Sequence, residues 1–279
     1  MDFSRYNPEG SLLRRDQKEL LRILMTVAEI CRDNGIQWWV DSGTLLGACR
    51  HGGFIPWDDD LDIGMVRSEY ERFLKIAPDK LKPEYYLHTW HVDPEYALPF
   101  AKVRKRGTLY LEGKSTRLKE NGFYIDIFPF DYLPADPAQK AALDKKLLDL
   151  FRTKLMKSRY TPWMENGKVI WKKRVGYLYY QLKAALTTHE KLIAEYEALV
   201  ASVPENDELY WQDPAMRLRS LKRGWCEDLT ELPFEGENFS VSRQYDEMLT
   251  AIYGDYMELP PQGERENRHQ IIAIDFGEK

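Results

Sequence analysis

The chain is predicted to fold as an α+β protein: a mixed sheet flanked by helices, with a mostly helical region added after it. Three observations carry that prediction. Through about residue 135, segments with apolar residues at helical spacing alternate with segments of strand character. One of those strands carries Asp60-Leu61-Asp62-Ile63, a polar/apolar alternation that half-buried strands show. At Asp136-Pro137 the composition changes, and from there to about Ser202 the pattern is helical. The expected organisation is a core over 1–135, a helical region over 136–224, and a segment over 225–279 that packs back on the core.

Size and composition narrow the function classes. A chain of 279 residues with 43% hydrophobic and 30% charged residues suits a soluble globular protein with a substantial core. A net charge of −5 points away from a general nucleic-acid binder. Cys31, Cys49 and Cys226 are far apart and form no CxxC pair, so neither a zinc motif nor a disulfide framework is expected. That usage fits a reducing compartment. Met1–Gly10 carries no apolar leader and no window holds 18 apolar residues, so neither export nor membrane threading is expected.

The elements follow in order. Leu20, Leu24, Val27 and Cys31 recur at helical spacing within a helix over Leu12–Asp33, which Asn34-Gly35 stops. Ile36–Val40 is aromatic and β-branched, as strands are. Ser42 can cap a short helix from Thr44 to Arg50, and Gly43 lets backbone approach a ligand. A strand, a Ser-Gly turn and a helix start offer free amides to a phosphate. Asp60–Val66 is the next strand, and Ser68-Glu69-Tyr70-Glu71 is a capping pattern for a helix to about Ile76. Tyr85–Trp90, Phe100–Arg104, Thr108–Leu111 and Phe123–Phe128 read as strands. Helices are expected over 138–159, 170–186 and 189–203, and 225–239 reads as loop-rich. Basic residues from Lys154 to Arg174 suit either a solvated helix face or a contact with an anionic acceptor or membrane surface.

The chemistry concentrates in Trp57-Asp58-Asp59-Asp60-Leu61-Asp62. Carboxylates this close repel one another unless a cation or solvent compensates. An EF-hand loop does not fit, because Ile63 falls where its sharp turn needs glycine. In a strand, Asp60 and Asp62 point to one face and can hold a hard divalent cation such as Mg²⁺, or Mn²⁺ in its place. Asp126 is the lone acid in an apolar strand, costly to bury unless paired or ligating, and is taken as the third carboxylate. Lys102 and Arg104 alternate with Ala101 and Val103, so the two bases share one sheet face.

The order of helix, strand, Ser-Gly turn and Asp-x-Asp strand resembles the nucleotidyltransferase fold of the polymerase-β type. Over Asp41–Met65, DSGTLLGACRHGGFIPWDDDLDIGM resembles the signature of the LicD family. AKVRKRGT at Ala101–Thr108, GFYIDIFPFD at Gly122–Asp131, and YGDYMELPP with His269 near the end agree with it. The resemblance spans roughly Leu20 to Asp131 plus a C-terminal patch; Asp136 to about Gly224 carries no matching motif. It implies transfer of an alcohol phosphate, phosphocholine first, from a CDP-linked donor to a hydroxyl of a glycan or lipid-linked glycan, with release of CMP. It further implies that Asp60 and Asp62 bind metal, and that Asp126 completes the site or accepts the acceptor's proton. Ser42, Gly43 and Thr44 match the turn near the donor phosphates. Arg50, His51, Lys102 and Arg104 fall in matched segments and are assigned to phosphate charge. Asp58 and Asp59 are read as supporting acids, and Trp57 as packing or as a cation–π partner for a choline head group. The expected location is cytoplasmic, with a peripheral contact at the inner face of the membrane left open. Two other readings stay in view: a nucleotidyltransferase releasing pyrophosphate, and a non-catalytic cation- or glycan-binding module.

Overall fold

The computed structural model describes residues 3, 5–112, 118, 120–160, 164–165, 168–211, 221–266 and 271–277. Its elements run α1 (Leu12–Asn34), β1 (Trp39–Val40), α2 (Ser42–His51), β2 (Asp62–Val66), α3 (Arg67–Lys80), β3 (Tyr85–His88), β4 (Ala101–Lys105), β5 (Leu109–Glu112) and β6 (Tyr124–Tyr132). Then come α4 (Pro137–Lys157), β7 (Met164–Glu165), β8 (Lys168–Val169), α5 (Arg174–Ala185), α6 (His189–Ala201), β9 (Glu208–Trp211), β10 (Leu221–Lys222) and α7 (Arg223–Glu227). The chain closes with β11 (Leu229–Phe234), β12 (Glu237–Ser242), α8 (Tyr245–Tyr253) and β13 (Ile271–Asp275).

The architecture is α+β, a mixed sheet flanked by helices, as the sequence predicts. The main sheet runs β1-β2-β6-β4-β3, with β9 and β10 joined through β6. Strand β6 is the hub. It pairs parallel with β2, antiparallel with β4 along its first half, and antiparallel with β9 at its end. Helix α1 buries Ile23, Leu24, Val27 and Cys31 completely, the stripe its periodicity marks. Ser11 caps its start, and Gly35 closes its end in the left-handed conformation.

Some elements differ in kind or extent from expectation. Residues 208–211, read within the helical region, add a strand to the main sheet. The stretch read as loop-rich is the β11–β12 hairpin, whose turn at Glu235-Gly236 takes positive φ at both residues. Helix α3 continues past Ile76 to Lys80 and holds Pro78 in its last turns. His269 lies outside the described residues.

The helical region packs through a second apolar cluster, in which Leu143, Leu147 and Phe151 of α4 meet Ile193, Tyr196 and Val200 of α6 against Trp90 and Tyr96. Lys154 is not on a solvated face. It is buried, and its ammonium donates to the carbonyls of Pro94 at 2.6 Å and Tyr96 at 2.8 Å and to Ser158 Oγ at 2.9 Å. Those bonds tie α4 to the loop before β4, and burial pushes the lysine down to about 8.

Candidate active site

Strand register builds the centre of the site. Asp62 opens β2 and pairs with Asp126 of β6 across the parallel ladder. Lys102 of β4 pairs with Asp126 on the other side, and His88 of β3 pairs with Lys102. In-register residues share a face, so Asp62, Asp126, Lys102 and His88 form one row across four strands. Asp60 precedes the strand rather than lying in it, which shortens the Asp60–Val66 strand expected above. Asp60 still reaches the same cleft.

That cleft has a volume of about 920 Å³. Asp58, Asp60, Asp62 and Asp126 line it, together with Ser42, Gly43, Arg50 and Trp57. Its apolar side is Leu98, Phe100, Phe128 and Phe151. Its outer side is the C-terminal segment, from Tyr253 through Glu258 to Pro261. Thr44, His51, Lys102 and Arg104 do not line it.

The turn before α2 holds the carboxylates in place. Asp41, not Ser42, is the residue before the helix, and Ser42 is its first residue. Ser42 has φ +49°, a left-handed conformation costing roughly 1 kcal/mol in a non-glycine residue. Its hydroxyl donates to Asp41 Oδ2 at 3.0 Å, and the Trp39 indole donates to Asp41 Oδ1 at 3.2 Å. A methyl group at Gly43 would stand 3.1 Å from Asp58 Oδ2, so glycine there lets that carboxylate approach the helix start. Thr44 Oγ1 accepts the Asp62 amide at 2.9 Å and so fixes the head of β2. Thr44→Val keeps the shape and leaves that buried N–H without an acceptor. It is expected to cost about 1–2 kcal/mol, read from the midpoint of urea unfolding.

Electrostatics mark Asp62. Burial raises its carboxyl well above the usual range, and Asp60, Asp126, Asp41 and Asp58 raise it further. Burial also raises Asp41, against its bonds from Ser42 and Trp39, and raises Asp126, against the Lys102 ammonium. All three carboxyls hold protons more tightly folded than unfolded. The stability they contribute is therefore present in acid and lost as pH rises through their raised folded values. Without divalent cations, the unfolding temperature should fall as pH rises above about 4, the ordinary aspartate value. That fall should be shallower in Asp62→Asn, as scanning calorimetry can measure.

The residues assigned to phosphate charge have other partners. Arg104 is buried; it donates to His88 Nδ1 at 3.0 Å and to the Gly122 carbonyl at 3.0 Å, and it lies 4.6 Å from the Tyr124 ring centre. Lys102 Nζ is 2.6 Å from Asp126 Oδ1 and 3.4 Å from the same ring centre. The two bases do share one face, with Tyr124 between them. Arg50 donates to the Tyr256 carbonyl at 2.9 Å and the Glu258 carbonyl at 3.2 Å, which ties α2 to the C-terminal segment. His51 accepts from Arg50 Nε at 3.1 Å, and burial and Arg50 push it down to about 4. It is neutral at pH 7 and adds no charge for a phosphate. Asp59 turns away from the cleft and accepts a bond from the Tyr110 hydroxyl. Trp57 packs edge-on to Tyr6 and His51, and the Arg265 guanidinium lies 5.8 Å from its ring centre.

The donor set suits Mg²⁺ or Mn²⁺. Among the described residues, no three acidic, His or Cys side chains converge as a ready-made chelate. Magnesium asks less of a protein, taking one or two carboxylates and completing its shell with water and substrate phosphate. Asp62 and Asp126 supply two carboxylates side by side. Asp126 Oδ1 is buried and faces the Lys102 ammonium at 2.6 Å. Tyr253 was not legible from sequence. It lines the cleft with part of its ring exposed, and desolvation there and the carboxylates of Asp41, Asp62, Asp60 and Asp58 raise its phenol above the ordinary tyrosine range.

Residues 35–146 match the family described as LicD/FKTN/FKRP, nucleotidyltransferase domain. The lipopolysaccharide cholinephosphotransferase LicD of Haemophilus influenzae is 31% identical over 265 residues, covering 92% of this chain and 96% of that protein. The ribitol-5-phosphate transferase FKTN of Mus musculus is 30% identical over 128 residues, 46% of this chain and 23% of that one. The ribitol 5-phosphate transferase FKRP of Homo sapiens is 43% identical over 51 residues, 18% of this chain and 10% of that one.

Proposed function

The chain belongs to the LicD family and is a phosphotransferase, and on that premise we propose that it transfers an alcohol phosphate, phosphocholine first, from a CDP-linked donor to a glycan hydroxyl and releases CMP. One observation carries the reading. Asp62 and Asp126 stand in register on adjacent parallel strands, at the base of a cleft that Asp58 and Asp60 also line.

Asp62 and Asp126 would hold Mg²⁺ or Mn²⁺, with Asp60 beside them. A bound cation there would neutralise charge on the donor phosphates and on the departing oxygen. Lys102 favours the charged form of Asp126, against burial, and holds it in place through their ion pair. Ser42 and Gly43 present the start of α2 to the cleft, where free amides suit a phosphate. The protonated Tyr253 phenol can donate to a phosphate oxygen from the opposite side. The acceptor oxygen forms its bond to the distal phosphorus as the bond from that phosphorus to CMP breaks, and the hydroxyl proton passes to a carboxylate of the cleft, Asp126 being the candidate. The apolar side at Phe100, Phe128 and Phe151 excludes water from that exchange.

A thermal-shift screen of CDP-choline, CDP-ribitol, CDP-glycerol and CDP-ethanolamine with Mg²⁺ tests the donor. A ligand that binds only the native state raises the unfolding temperature. A Mg²⁺-dependent rise with a CDP-alcohol supports the reading; no rise with any of them opposes it. The location proposed is the cytoplasm at the inner face of the membrane. Among the described residues no helix is long and apolar enough to cross a membrane.

A further inference from the structure

Helix α5 is amphipathic the wrong way round for a free surface helix. Ala184 is buried toward α4, and the Lys183 ammonium pairs with Asp149 of that helix. The face turned to solvent is apolar. Trp171, Val175, Leu178, Leu182 and Leu186 follow one another at helical spacing, and each is between 61% and 84% exposed. Tyr179 stands beside them at 52%. Among the described residues, seven of the thirteen exposed large hydrophobic side chains lie between Ile170 and Leu186. Such a concentration marks an interaction surface rather than scatter.

The charge around this stripe selects the partner. From Lys168 to Thr188 the sequence carries Lys168, Lys172, Lys173, Arg174 and Lys183 and no Asp or Glu, in a protein whose net charge is −5. Lys172, Lys173 and Arg174 are exposed at the head of the helix. A second copy of the chain would bring the same cations and no acidic residue from this segment to meet them. An anionic lipid surface offers both an apolar interior for the leucines and negative head groups for the bases. Trp171 and Tyr179 add amphipathic rings of the kind that settle at head-group depth.

We propose that the apolar face of α5, extended by Trp171 before it and Leu186 after it, is a docking surface for an anionic lipid bilayer, on which the helix lies in the plane of the interface. The proposal is independent of the donor and the acceptor, because it concerns where the protein sits and not what it transfers.

The test is co-sedimentation of the full chain with two kinds of vesicle, phosphatidylcholine alone and phosphatidylcholine mixed with phosphatidylglycerol. Light scattering gives the oligomeric state in parallel. The wild type is expected to bind the phosphatidylglycerol vesicles and to bind more weakly as salt rises. Leu178→Glu with Leu182→Glu should weaken binding by roughly a hundredfold, about tenfold per leucine. Lys172→Glu, Lys173→Glu and Arg174→Glu together should remove the preference for the anionic vesicles. Each substituted side chain is exposed, so the unfolding temperature should stay within a few degrees. Failure of the wild type to bind either vesicle would overturn the proposal, as would binding that the leucine variant leaves unchanged. A wild-type dimer that the leucine variant dissociates, with no vesicle binding, would identify the face as a subunit interface and overturn it equally.

Discussion

Asp62→Asn should lower phosphotransfer by roughly a thousandfold, corresponding to about 4 kcal/mol of lost charge stabilisation in the transition state. The expectation rests on position. Asp62 is buried at the head of β2, beside Asp126 and facing the cleft that Asp58 and Asp60 share. Asparagine keeps the size and the backbone bond to Thr44 Oγ1 and removes one anionic ligand. The same substitution should raise the unfolding temperature at neutral pH in the presence of chelator. Burial and four neighbouring carboxylates oppose the ionised form of Asp62, and the amide has no charge to oppose. Activity and stability then move in opposite directions, which separates a lost ligand from a damaged fold. Calorimetry and an assay of CMP release read both quantities on one preparation. An active Asp62→Asn enzyme would remove this residue from the metal site.

Gly64→Ala should destabilise the protein by about 3 kcal/mol, at the upper end of what overpacking a core costs. Gly64 pairs directly with Trp39 across the β1–β2 ladder. A methyl group there would stand 2.5 Å from indole Cε2. The indole has little room to withdraw, because Trp39 is 1% exposed and its ring stacks edge-on to Phe130 at 4.8 Å. Its N–H also holds Asp41, which in turn holds Ser42. Displacing the ring therefore loosens the turn at the mouth of the cleft. Trp39→Phe destabilises alone, by lost volume and a lost hydrogen bond. In the Gly64→Ala background it should recover part of the loss, because the smaller ring makes space. Urea unfolding of the two single variants and the double variant measures that coupling. Simple additivity would contradict the packing described here.

Much of this was legible in the sequence, for reasons that can be given residue by residue. Helix α1 reads correctly because burial follows its period at Leu20, Leu24, Val27 and Cys31. Lys102 and Arg104 fall on one face because strand period is two. Asp60, Asp62 and Asp126 meet in one cleft, although no local pattern dictates that β2 and β6 pair. What was not legible shares a cause. Charge is written in the sequence, but a donor's partner is not. Arg50 is held by carbonyls of Tyr256 and Glu258, about two hundred residues away, and Arg104 by His88 and Gly122. Asp59 and Asp58 are neighbours in sequence, yet one meets Tyr110 and the other the cleft. The β11–β12 hairpin did leave a signal, Glu235-Gly236 between two alternating runs, and that turn was readable. The strand at 208–211 follows a long helical stretch and reveals itself only through its pairing with β6.

The most direct measurement identifies the nucleotide product. The purified chain is incubated with CDP-choline, a glycan acceptor and Mg²⁺, and the products are separated by chromatography and assigned by phosphorus NMR. The expected result is CMP in equal amount to phosphocholine transferred, abolished by chelator and by Asp62→Asn. Pyrophosphate released from a nucleoside triphosphate, with no CMP from any CDP-alcohol, would contradict it.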